Sequence, residues 1–372
     1  MVSKNGTRAL GDLGVDGSGR GAIQPVPLSL RDQEVGVDAR QTGTSAVAGP
    51  IGIVDSFQHV PVSLFGSVLG VAGLAIAWRL AHDLFGVPIA IASVLDAVAI
   101  ACFILVGFGY GLKLLLAPAA VLSEFNHPIK GSLFGTLPIS LLLLPINIAP
   151  TSLPLAQAIW WVGAATMFAF ACFVINRWIS RPQHLGDATP PWIVPVVGVL
   201  DVPLAMPTLG WPPMHGLMIL GLAIGLFFTI PLFTLIFARL LFQPQMPVSI
   251  QPTVVILVAP FAVGTSAYLA TTGDADIFAQ SLYAMTLFLL LILASRVRHL
   301  GRCCPFQVSW WAISFPLAAS SVAAIRMAAA YPGPLSEAFA FLLLLAVTLV
   351  IAALSWLTLT ALARGELRTI ST

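Results

Sequence analysis

Phe315 and Pro316 stand side by side in the stretch from Phe306 to Arg326, FQVSWWAISFPLAASSVAAIR. The stretch is apolar and long enough to cross a bilayer. A proline inside such a helix removes one backbone hydrogen bond and frees the carbonyl four residues earlier, here that of Ala312. Lipid cannot satisfy a freed carbonyl, so the helix is expected to face protein or a water-filled cavity. A bulky ring at the break can close a passage by bulk and by dewetting, and Phe315 is therefore expected to gate one. Core packing between helices is the competing role. Two acids, Asp96 and Asp201, also lie inside apolar runs, where ionisable groups are costly and functional by default. One chemistry open to them is a proton relay in a coupled carrier. The preferred expectation is structural. Asp96 would reach Arg79 or Arg326, and Asp201 would satisfy backbone groups freed between Pro195 and Pro203.

Other chemistries are poorly supplied. Cys102 and Cys172 lie in apolar runs, and Cys303 and Cys304 are adjacent. No Cys/His spacing suggests a metal, so neither metal nor cofactor is expected. The histidines, His59, His82, His127, His184, His215 and His299, sit at the ends of apolar runs. No paired acids or His/Asp set lies at membrane depth, which argues against an enzyme. A net charge of +2 is too small to point to nucleic acid.

The elements that carry these residues are membrane spans. The 372 residues are 58% hydrophobic and 9% charged, with a mean hydropathy of +0.96; a soluble domain is roughly 25% charged. Residues 1–58 are polar and read as a disordered tail without the apolar core of a secretory signal. Residues 59–365 form the membrane domain, and residues 366–372 a short C-terminus. Spans are expected at about 61–82, 88–112, 128–149, 155–178, 190–207, 213–242, 252–271, 278–297, 305–328 and 335–363, each near the ~20 residues that cross the hydrocarbon core. With this count, all 17 Lys and Arg residues except Arg79 and Arg326 fall on one side. The positive-inside rule makes that side, and both termini, cytoplasmic.

The odd-numbered spans share a pattern. They begin at Pro61, Pro128, Pro190, Pro252 and Pro305, roughly 60 residues apart, which suggests a repeated helical hairpin. Four carry internal prolines, namely Pro138, Pro195 with Pro203, Pro260 and Pro316, where a kink is expected. The first has Gly70 and Gly73 instead. Five hairpins whose odd members share one defect suggest a closed ring with the broken helices inside. Spacing alone leaves this open, since proline and glycine are common in membrane helices.

Several segments together resemble the TehA/slow-type anion channel family, also called the tellurite-resistance/dicarboxylate transporter family. They are FGSVLGVAGLAIAWR in the first span, HPIK with a following Phe and Pro in the third, QPTVVILVAP in the seventh and WWAISFP in the ninth. The resemblance covers about residues 58–365. It implies an all-α membrane protein of ten helices, five hairpins in a quasi-fivefold ring around a central pore, in a homotrimer within the bacterial inner membrane or plasma membrane. It also implies that a phenylalanine of the ninth span, here Phe315, occludes the pore. Small monovalent anions such as nitrate and chloride are the expected cargo. Proton-coupled malate transport and sulfite or tellurite export are the family's alternatives.

Phe65, Phe134, Val199 and Phe261 occupy the other odd spans, where lining the pore and plain packing are equally open. Lys130, with the converging helix starts, would form a vestibule that concentrates anions. Arg302 would add to it or act only as a membrane anchor.

Overall fold

The structure, a computed structural model, describes residues 60–303 and 306–365, with residues 296–303 described as backbone only. The two expected tails, 1–58 and 366–372, and the side chain of Arg302 lie outside the described residues. The described residues form helices and no strand. Ten helices are long and apolar enough to cross a membrane. The odd-numbered ones are Val62–Phe85, Lys130–Ile148, Pro190–Thr208, Val248–Thr272 and Val308–Ala330. The even-numbered ones are Ile89–Leu116, Leu153–Ser180, His215–Phe242, Ile277–Ser295 and Pro334–Ala363.

The two sets occupy different layers. In their most apolar stretches, 72–83% of residues are buried in the odd spans and 22–33% in the even spans. Each odd span packs on the even span that follows it. The odd spans also touch one another in sequence, first to third, third to fifth, fifth to seventh and seventh to ninth, and the ninth returns to the first. The contacts therefore close a cycle. The even spans leave large apolar side chains such as Leu105, Phe227, Leu291 and Leu349 exposed, as a lipid-facing layer requires.

The prolines expected to kink these spans stand where the helix type changes. Every odd span opens as a 3-10 helix and then becomes α-helical, with the change at Phe65, Thr136, Val194, Ala259 and Ser314. Pro138, Pro195, Pro260 and Pro316 stand in the first turn of the new α-helix. Where donors switch from the carbonyl three residues back to the one four residues back, two successive N–H groups aim at one oxygen. A residue without an N–H removes the surplus donor. These prolines thus mark a change of helix type and do not break a continuous α-helix. Pro203 lies within a second 3-10 stretch, Gly198–Thr208, together with Pro207.

Two prolines among the described residues do lie inside an α-helix, Pro231 in His215–Phe242 and Pro145 in Thr136–Ile148. Pro145 leaves the carbonyl of Leu141 without its α-helical donor. Gly163 of the fourth span lies flat against that group, so close that a Cβ there would come within 2.9 Å of the oxygen.

Small residues bring the first and ninth spans close together. Gly66, Gly70 and Gly73 of the first span face Trp311, Ser314 and Ala318 of the ninth, and a Cβ on Gly70 would lie 2.5 Å from that of Ser314. Ser314 Oγ donates to the carbonyl of Trp311 at 2.7 Å and lies 3.2 Å from that of Gly66. In a membrane, where burial of apolar surface gives helices no reason to prefer each other over lipid, such close approach is the main source of association.

Candidate functional site

Two cavities lie among the odd spans. The larger, about 150 Å³, is lined mainly from the N-terminal side of all five, including Gly66, Lys130, Thr253 and Phe315, with Asp201 deeper in the fifth. The smaller, about 30 Å³, is lined mainly from their C-terminal side, including Gly73, Ile146, Leu204, Ser266 and Arg326, and by Phe315 again. Phe315 and Val263 line both. The Phe315 ring is half-buried and packs near Gly73, whose Cβ position is 3.8 Å from Cδ2. It follows directly on the 3-10 helix Val308–Ile313 and Ser314, in the first turn of the α-helix.

The other aromatic candidates turn away. Phe65 packs against Phe103 and Tyr110 of the second span, with ring centroids 6.0 and 6.2 Å apart. Phe134 packs on Tyr110 and Phe125, and Phe261 on Phe233. Val199 is fully buried, its carbonyl against Gly221. None of the four lines either cavity; each packs between helices, the second of the two roles left open for them. Their neighbours Gly66, Leu133, Gly198 and Ala259 line the larger cavity instead.

The two intramembrane acids also separate. Asp96 accepts from Asn147 Nδ2 at 2.8 Å and forms an ion pair with Arg79, joining the first three spans. It lines neither cavity. Asp201 lines the larger cavity, is 1% exposed, and its Oδ1 has no hydrogen-bond partner among the described residues. It does not satisfy backbone groups near Pro195 and Pro203 as expected. A buried carboxylate without a partner is costly, which favours the neutral acid at this position.

At the mouth of the larger cavity, exposed Lys130 follows a tight turn. His127 Nδ1 accepts from the N–H groups of Ile129 and Lys130 at 3.1 and 3.2 Å. Partial burial lowers the His127 pKa, helped by the Lys130 charge and opposed by Asp187. The neutral, accepting ring is therefore favoured near pH 7, and the turn weakens only as pH falls below the ordinary histidine range and through the lowered value.

Glu124 belongs to this mouth and was not legible as such in the sequence. It sits on a short helix, Pro118–Asn126, between the second and third spans. Its carboxylate accepts from Lys113 Nζ at 2.7 Å, from the Val62 N–H at 2.9 Å and from the Tyr110 hydroxyl at 3.1 Å. Lys113 donates further to the Val60 carbonyl at 2.8 Å. The cluster ties the start of the first span to the cavity rim. The eleven residues from Lys113 to Glu124 were a signal of opposite charges flanking a loop, though nothing in their spacing implied burial. No group of His, Cys, Asp and Glu among the described residues is arranged to hold a metal.

Comparison with known proteins gives a consistent picture. Residues 59–359 match the family model SLAC1, voltage-dependent anion channel. The chain is 29% identical over 305 residues to the S-type anion channel SLAH3 of Arabidopsis thaliana, covering 79% of this chain and 47% of the relative. It is 25% identical to the guard cell S-type anion channel SLAC1 of the same plant, covering 76% and 52%. The chain thus spans about half the length of these plant relatives. It is also 28% identical over 269 residues to the tellurite resistance protein TehA homolog of Haemophilus influenzae, covering 70% and 78%.

Proposed function

Because the chain belongs to the SLAC1 family of voltage-dependent anion channels, we propose that it conducts small monovalent anions, nitrate and chloride among them, through a pore within each protomer that Phe315 closes. The observation that carries this reading is the position of Phe315, which lines both cavities. In this reading the two cavities are successive parts of one passage, and an ion moving from one to the other meets this ring. The helix starts and Lys130 favour anions at the larger cavity. With the positive-inside orientation, that cavity opens to the cytoplasm, both termini are cytoplasmic, and residues 1–58 form the tail before the membrane domain. A homotrimer fits the exposed apolar faces of the even spans.

Current recorded in oocytes or planar bilayers tests the gate. Phe315→Ala is expected to raise anion current severalfold or more over the parent chain. No increase at normal surface expression would remove Phe315 from this role.

One observation favours a second reading. Asp201 stands unpartnered on the larger cavity, where a titrating acid would couple proton movement to carriage of malate, sulfite or tellurite. Asp201→Asn separates the two. A channel keeps its current, whereas a coupled carrier loses pH-driven uptake in proteoliposomes.

A further inference from the structure

A third cavity, of about 120 Å³, lies where the fourth span ends beside the turn that begins the third. It shares no lining residue with the other two. Its surface is partly aromatic and partly polar. Phe170 and Phe173 of the fourth span line it together with Phe125, their ring centroids 6.5 and 5.4 Å from that of Phe125. Arg177, Arg181, His127 and Gln183 also line it, and no Asp or Glu does. Nη1 and Nη2 of Arg177 donate to the carbonyls of Phe125 and Asn126 at 3.2 and 2.9 Å. These bonds fix the guanidinium against the end of the short helix and leave it donors to spare. Arg181 is exposed, and neither arginine takes part in an ion pair among the described residues.

Like charges gathered on one small space repel each other, and Asp187, which acts on His127, does not line it. An anion between the arginines relieves that repulsion and takes their remaining donors. A phosphate group suits the planar guanidinium fork best. A cavity of this size holds several waters, or one phosphate in their place. Its position narrows the source. Ile179, between the two arginines in sequence, is apolar and exposed. The turn from His127 to Lys130 also borders the mouth of the larger cavity, so this helix end stands at the membrane boundary on that side. A molecule that joins an anionic phosphate to apolar surface at such a boundary is a phospholipid. We propose that this cavity binds the headgroup of an anionic phospholipid, with Arg177 and Arg181 on the phosphate and the glycerol end against Phe170 and Phe173. The site does not depend on the conduction reading.

Native mass spectrometry of the purified full-length chain, released from detergent containing phosphatidylglycerol or phosphatidylcholine, tests the site. Phosphatidylglycerol is expected to be retained in preference. Arg181→Gln should weaken its retention about tenfold, the worth of a charge-assisted hydrogen bond. Arg181 is the variant to use because it is exposed and, unlike Arg177, its guanidinium holds no backbone carbonyl. Arg364→Gln, which removes an exposed charge at the end of the tenth span, should leave retention unchanged. Inorganic phosphate at millimolar concentration should not displace the lipid. Equal retention of the two lipids, or as great a loss in Arg364→Gln as in Arg181→Gln, overturns the site. Displacement by inorganic phosphate overturns the lipid in favour of the free anion.

Discussion

Two carboxylates at membrane depth have opposite circumstances in this protein. Asp96 is neutralised by Arg79 and held by Asn147, whereas Asp201 faces a cavity with one oxygen unbonded. Residue type and depth were the same in the sequence; only the folded structure shows that one acid has partners and the other does not. Glu124 extends the lesson, since its three donors make it the pin of the cavity mouth. Removing one partner of a buried ion pair leaves the other charge uncompensated, at a cost of about 3–5 kcal/mol. Glu124→Ala is expected to destabilise the purified protein to that degree, read as a lower thermal midpoint in detergent. A midpoint equal to the parent's would mean that Lys113 is adequately hydrated without it.

The odd spans owe their form to two devices, the change from 3-10 to α-helix and the glycine face of the first span. The prolines were visible in the sequence. That they sit at a change of helix type was not, because composition does not distinguish a bend from a shift in hydrogen-bond register. The glycines of the first span were legible as a means of close approach, without indicating to what. The structure supplies the ninth span, the one that carries Phe315. Gly70→Ala would drive a methyl group into Ser314 and is expected to cost about 1–3 kcal/mol through overpacking. Adding Ser314→Gly should recover part of the loss, which a thermal-shift comparison of single and double variants measures. Equal loss in both would show that the two helices are not held by this contact.

At the scale of the whole molecule, the larger cavity is walled mainly by apolar side chains and backbone, with Lys130 exposed at its mouth. Such a passage replaces hydration poorly, so an ion that sheds water easily enters more readily. Nitrate is expected to be more permeant than fluoride by reversal potentials in Phe315→Ala; the opposite order would require a strongly polar filter. The ten spans and the membrane class were determined by the sequence alone, because crossing a bilayer demands length and apolarity that each segment carries by itself. The layering of odd spans inside even ones was suggested by the repeated prolines. Which side chains meet the cavity was decided only by tertiary structure. Phe65, Phe134, Val199 and Phe261 share spans with the cavity wall yet point away from it, because on a helix one residue's displacement turns a side chain through about 100°. Only the packed neighbours determine whether that turn ends in a cavity or in a helix interface.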